Sequence, residues 1–152
     1  MGNIQTLLYE GLMSGLAAGI LMGLISHAGF KAGIFRSSLL IIDGSFALRN
    51  LRLQDDEKRS VLLGIPVHLV TSISFGLSYA MLVRVLNIEP TSVWVVTVYV
   101  FMLWLSMLFI ALPIAGHGPF GRKLGTTAWF EQLILHIIFG IVLWYSLHLL
   151  QQ

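Results

Sequence analysis

Gly11-Leu-Met-Ser-Gly15-Leu-Ala-Ala-Gly19-Ile-Leu-Met-Gly23-Leu-Ile-Ser-His27 repeats a glycine at every fourth position and puts a histidine in the next place of the series. In an α-helix four residues turn about 400°, so Gly11, Gly15, Gly19 and Gly23 form a slowly drifting stripe, continued by His27 and flanked by Ser14, Ala18 and Ser26. A stripe without side chains admits a second helix to close approach. In lipid no hydrophobic force draws helices together, so backbone proximity and dispersion contact must do it. The stretch therefore reads as a helix-packing face inside a membrane, used within the chain or between chains.

The rest of the chain supports that setting. Its 152 residues are 57% hydrophobic and 11% charged, with a mean hydropathy of +0.86. Soluble domains carry roughly 25% charged residues. Apolar runs of the ~20 residues needed to cross a ~30 Å hydrocarbon core occur at Thr6 to Ala28, Val61 to Leu86, Ser92 to Leu112 and Thr127 to Leu150. The expectation is an all-α membrane protein, a four-transmembrane-helix bundle forming one domain over residues 1–152. Cysteine is absent, which removes disulfide partners, thiolate metal sites and thiol nucleophiles. Met1 to Gly11 lacks the basic start of a signal peptide, and the first span is expected to persist in the mature chain. Met1-Gly2-Asn-Ile-Gln-Thr6 fits a myristoylation pattern, but the charge distribution puts this end away from the cytoplasm.

Eight of the nine Lys and Arg residues lie in two connections: Lys31, Arg36, Arg49, Arg52, Lys58 and Arg59 in the first, Arg122 and Lys123 in the third. The positive-inside rule then places these loops in the cytoplasm, and both termini with the Asn87 to Thr91 turn outside. The pI near 9.2 is explained by these loops and gives no support for nucleic-acid binding. Within the first loop, Ile34, Phe35, Leu39, Ile42 and Phe46 recur near helical period against Arg36, Ser37, Asp43, Arg49 and Arg52. That pattern predicts an amphipathic interfacial segment over Gly33 to Leu53, lying on the leaflet and meeting anionic lipid. Asp55, Asp56 and Glu57 suit the positive end of the helix that follows.

The second span gathers His68, Ser72, Gly76 and Tyr79 on one face, with Pro66 either kinking the helix or marking its start. The fourth repeats this logic with Gln132, His136 and Gly140. The third is bulky and apolar all round, facing lipid or other proteins' helices over much of its circumference, and is the span least suited to chemistry. In the connection before the fourth span, Gly116-His-Gly118-Pro-Phe-Gly121 matches a dinucleotide fingerprint in letters alone, since a membrane hairpin supplies no βαβ unit. Arg122, Lys123 and Thr126 beside the next helix start could hold an anion or a lipid headgroup; a tight interfacial turn explains the same residues.

The Gly-rich first span, Pro66-x-His68-Leu-x-x-Ser72-x-x-Phe75-Gly76-Leu-x-Tyr79-Ala80, Gly118-Pro-Phe-Gly121-Arg-Lys-Leu-Gly125 and His136-x-x-Phe139-Gly140 together resemble the YagU-like group of small bacterial inner-membrane proteins. The resemblance implies a bacterial inner-membrane bundle and brings no catalytic residues with it.

Histidines are the candidate chemistry. His68 and His136 lie at similar depth, roughly 10 Å from the loop boundary at 1.5 Å rise per residue. Imidazoles from facing helices can ligate a haem b iron, and His27, His117 or Glu131 could complete a metal site. The plainer reading is a buried histidine hydrogen-bonded across the bundle to Ser72, Tyr79 or Gln132; a third is a proton relay or a quinone contact. No paired carboxylates or nucleophile-base set indicates an enzyme. The leading functional expectation is a non-catalytic accessory subunit packed against a larger respiratory or oxidative membrane complex, without a cofactor. The alternatives are a haem- or metal-binding electron-transfer bundle using His68 and His136, and a self-assembling homo-oligomer with a permeation or acid-stress role.

Overall fold

The computed structural model describes residues 3–54 and 56–152. The myristoylation pattern at Met1 and Gly2, and the first acid of the Asp55 to Glu57 run, lie outside the described residues. The chain forms α1 (Ile4–Lys31), α2 (Leu39–Asn50), α3 (Glu57–Leu86), α4 (Val93–Ser106), a π-helical turn (Met107–Ala111), α5 (Leu112–Ile114), a 3-10 turn (Pro119–Gly121) and α6 (Ala128–Leu150). Among the described residues there is no strand. Four helical runs, Ile4–Lys31, Glu57–Leu86, Val93–Ile114 and Ala128–Leu150, are long and apolar enough to cross a membrane. The fold is an all-α bundle of four spanning helices, with α2 as an added short helix.

The glycine stripe of α1 packs on α3. A methyl carbon built on Gly11 would stand 2.6 Å from the Gly76 carbonyl oxygen, and one on Gly15 2.6 Å from that of Ser72. Gly19 faces the Ser72 side chain, and Gly23 faces the His68 ring. Backbone thus meets backbone along two turns, the approach that only residues without a β-carbon allow. On its other side α1 packs on α6, where Leu135, Phe139, Leu143 and Leu147 are buried in one cluster with Leu7, Ala18 and Met22.

The first loop carries the expected short amphipathic segment as α2 and seats one of its faces on α3. Helix α2 begins at Leu39 and buries Leu39, Leu40, Ile42, Gly44, Ser45 and Leu48, whereas Ile34 and Phe46 are 73% and 37% exposed. The cause is a second glycine crossing. A β-carbon on Gly44 would run into the Ser60 carbonyl, and one on Gly64 into that of Leu40. Close seating on α3 through these small residues buries one face of α2 and leaves Phe46, with Ile34, Leu51 and Leu53 beside the helix, exposed. Hydrogen bonds hold the connection: Ser26 Oγ accepts from the Leu39 amide at 2.8 Å, and the Ser45 and Ser60 hydroxyls meet at 3.2 Å.

Capping explains where α3 begins and ends. The Asp56 carboxylate accepts from the Arg59 amide at 3.0 Å, Glu57 pairs with Lys31, and Asn87 in the left-handed region (φ 54°) stops the helix. Pro66 sits inside α3, which starts nine residues earlier; its missing N–H leaves the Leu62 carbonyl without its helical donor. The turn after α3 is tied back by Tyr79 Oη donating to the Pro90 carbonyl (2.7 Å) and Trp144 Nε1 to that of Thr91 (2.8 Å).

Helix α4 is the loosest part. It buries only Val96 and Val100, packs mainly on α6, and leaves Trp94 81% exposed. Its continuation is irregular because Pro113 has no N–H to give the Phe109 carbonyl. The ladder slips by one residue, and the Leu112 amide reaches Met107 instead.

Candidate functional site

Gly23 supplies the room into which α3 extends His68. A β-carbon there would stand 3.1 Å from His68 Cδ2. The ring is 6% exposed, with Nε2 3.1 Å from the Gly19 carbonyl oxygen and Nδ1 3.0 Å from Asp43 Oδ2. One imidazole thus joins α1, α2 and α3.

The proton count at this ring is unusual. A neutral imidazole has one N–H and one lone pair, yet both nitrogens of His68 face oxygens. A carbonyl only accepts, so Nε2 must carry a hydrogen. The contact at Nδ1 then needs a second proton, held either by the ring as imidazolium or by Asp43 as a carboxylic acid that donates to Nδ1. Both contacts are hydrogen bonds at once only when the pair holds one proton more than a neutral ring beside an ionised carboxylate. The Asp43 side chain is 25% exposed, so this proton has a way to water at the loop end of the bundle.

His136 comes from α6. Its Nδ1 lies 2.8 Å from the Gln132 carbonyl oxygen, which fixes the hydrogen on Nδ1 and leaves a lone pair on Nε2. His136, His68 and Asp43 line one cavity of about 280 Å³, together with Ser72, Phe75 and Phe139. The two phenyl rings meet edge to face, 6.5 Å between centroids, one to two turns beyond the histidines toward the end that bears both termini. Met107, Ile110 and Ala111 of the π-helical turn form the opposite wall.

The structure brings His68 and His136 to one cavity and sends the other candidates elsewhere. His27 Nδ1 is 3.1 Å from Ser38 Oγ at the start of α2. Glu131 ties the first loop to α6: its Oε2 accepts from the Arg36 amide and its Oε1 from Thr127 Oγ1, each at 2.8 Å. His117 belongs to the turn after α5, where its amide donates to Leu112 and its carbonyl accepts from Lys123. Among the described residues no three His, Asp or Glu side chains converge as a metal would require. For a haem iron held by two imidazoles, His68 has no ring nitrogen outside its two hydrogen bonds. The histidine partners also differ from Ser72, Tyr79 or the Gln132 side chain. They are Asp43 and two backbone carbonyls, and the Gln132 amide is buried without a hydrogen-bond partner among the described residues.

Arg122 and Thr126 line a separate cavity of about 580 Å³ with Trp104, Phe120 and Trp129, and Lys123 is not part of it. The Arg122 guanidinium stands 6.0 Å from the Phe120 ring centre. Gly140 lies on the α4 side of α6, against Val100.

Sequence reasoning missed two parts of the site. Asp43 was placed among the polar residues of a surface helix; the neighbouring Gly44 and Ser45 were the signal that this face is buried. The π-helical turn falls in the span judged least suited to chemistry, and Pro113 was its signal. Compared with protein-family models, with curated proteins and with solved structures, the chain matches none.

Proposed function

We propose that this chain is a non-catalytic membrane protein that stores and exchanges a proton at the Asp43–His68 pair, with His136 as the second base of the cavity. One observation carries the reading: both nitrogens of a buried imidazole face acceptors. Ionisable groups at membrane depth are costly to keep and are functional by default. The exchange is one-sided. Phe75 and Phe139 line the cavity toward the terminal end with their rings in contact, and the hydroxyls beyond are engaged, Tyr99 with the Phe75 carbonyl (2.7 Å) and Tyr79 with that of Pro90. A store open at the loop end differs from a transmembrane conductor. With the basic loops taken as cytoplasmic in a bacterial inner membrane, the proton is exchanged with the cytoplasm.

The test is histidine nitrogen NMR on the protein in bilayers, combined with infrared detection of protonated carboxyls. The expected result is either two N–H groups on His68 or a protonated Asp43 band, abolished in Asp43→Asn. A neutral His68 with a single N–H beside an ionised Asp43 at every pH would remove the proposal.

A second reading, an accessory role beside a larger membrane protein, is favoured by the open groove of about 410 Å³ between α4 and α6, lined by Val96, Val100, Trp104, Gly140 and Trp144. Mild-detergent extraction from the native membrane tests it. Migration in a larger assembly of defined composition supports it, and migration alone or as a small homo-oligomer excludes it.

A further inference from the structure

The cavity has a size, a lining and a doorway, and together they specify a ligand. We propose that it takes the dihydroxylated ring of a quinol-type lipid, whose apolar tail leaves sideways between α3 and α4. The inference rests on the proton-exchange reading and names the molecule that meets the pair.

Size comes first. A cavity of about 280 Å³ is roughly twice the ~150 Å³ of an apolar engineered cavity that takes benzene, so it suits one substituted ring and the start of a tail. The walls fit a flat ring, with phenyl groups from Phe75 and Phe139 and thioethers from Met22 and Met107, which make favourable contacts with aromatic edges.

The polar groups set the oxidation state. His136 Nε2 offers a lone pair because Nδ1 is committed to Gln132, and Asp43, which also lines the cavity, has a second oxygen that His68 does not engage. Two acceptors on an apolar wall call for two donors, and a hydroquinone ring carries two hydroxyls. The oxidised quinone presents only carbonyl oxygens, leaving both acceptors unpaired and facing like partners. The hydroxyls of Ser72 and Ser106 can act in either sense and do not reverse the preference.

The doorway is the third element. Thr71 on α3 and Ser106, Ile110 and Ala111 on the α4 side all line the cavity and are all exposed, so it opens through the seam between these helices, at hydrocarbon depth. The slipped ladder before Pro113 forms one edge of that opening. A ligand that enters from lipid needs an apolar tail and no aqueous path.

The experiment measures binding of a short-tail benzoquinol to the protein in nanodiscs under reducing conditions, against three comparators: the same molecule oxidised, the same ring without a tail, and a tailed phenol with one hydroxyl. The quinol is expected to bind about a hundredfold more tightly than the quinone, about tenfold for each of the two acceptors left unpaired. The tailed phenol should fall between them, and the tail-less ring should be weaker than the tailed quinol. His136→Phe should cut the preference for the reduced form to about tenfold, the part that Asp43 alone supplies. Ala111→Trp, at an exposed position on the seam, should block binding with helicity and monodispersity intact. Equal binding of quinol and quinone, or binding that survives Ala111→Trp, overturns the proposal. Absence of quinol binding while the NMR still shows the retained proton overturns the ligand and spares the proton store. Failure of both removes the reading beneath it.

Discussion

The seam between α1 and α3 and the seam between α4 and α6 both contain glycine, yet they are built oppositely. In the first, Gly11, Gly15 and Gly76 bring backbone against backbone, and a β-carbon on any of them would meet main-chain atoms within 3 Å. In the second, Gly140 faces the tip of Val100, a side chain on a helix with two buried residues, and an open groove runs beside it. The rigid seam carries His68 on its edge, fixed by Gly19 and Gly23 of the stripe itself. The loosely held α4 borders the cavity at Leu103 and Ser106 and forms, against α3, one side of its doorway. A site that must hold a proton in fixed geometry and still admit a ligand needs both.

The largest expected effect breaks the rigid seam. An alanine at Gly76 would collide with the Gly11 carbonyl and stand 2.8 Å from Gly15 Cα, neither of which can move without shifting a helix. Gly76→Ala should cost about 3 kcal/mol, the upper part of the usual overpacking range, and Gly76→Leu should prevent folding. Unfolding titration in mixed micelles reads the first, and loss of monodisperse protein the second.

Next comes the lock on that seam. Replacing Asp43 by leucine removes a charge partner from His68 and strands its Nδ1. Breaking a fully buried pair costs about 3–5 kcal/mol, and the partial exposure of Asp43 reduces this to about 2 kcal/mol. Asp43→Asn keeps a hydrogen-bonding side chain and should cost about half as much. Equal losses in the two variants would mean that Asp43 acts by packing and not through His68.

The contrast between the seams also marks what the sequence could disclose. The stripe was legible because a four-residue glycine period has few other uses in an apolar run, and the four spans followed from length and hydropathy alone. The depth match of His68 and His136 came from counting residues, and both line the same cavity. Position along a helix is local information. Asp43 was not legible as their neighbour, because its contact with His68 depends on how α2 crosses α3, a non-local fact set by Gly44 and Gly64. Periodicity in the first loop supports a surface helix and a tucked one equally; the decision lies in which carbonyls the two glycines approach. Glu131 misled for the same reason. It is one turn from His136 in sequence, but its carboxylate is spent on the Arg36 amide and Thr127.

On the loose side, α4 is tethered to α3 by one hydroxyl. Tyr99 Oη donates to the Phe75 carbonyl at 2.7 Å and meets Ser78 Oγ at 2.6 Å. Tyr99→Phe should cost about 1 kcal/mol, the ordinary worth of such a bond. Its sharper consequence is local. Hydrogen exchange in α4 should rise, with α1 and α3 unchanged, because the tether does not reach the glycine seam. Equal loosening of all three helices would contradict the two-seam description.

The smallest effect is the most discriminating. At Gly140 an added methyl would lie 3.0 Å from Val100 Cγ2 and 3.4 Å from Cγ1, tighter than comfortable contact but against atoms that can yield. Alanine also favours the helix over glycine by up to about 1 kcal/mol, and it does so equally at Gly76 and Gly140. Since that gain is common to both sites, the difference between the two alanine variants measures how far each partner can give way. Gly140→Ala should leave stability within about 0.5 kcal/mol of the parent, because α4 has little packing to lose by shifting a few tenths of an ångström. A cost at Gly140 matching that at Gly76 would show that α4 is held as firmly as α3. The seam between α3 and α4 would then be too stiff to open for a ligand, and the lateral route into the cavity would fail with it.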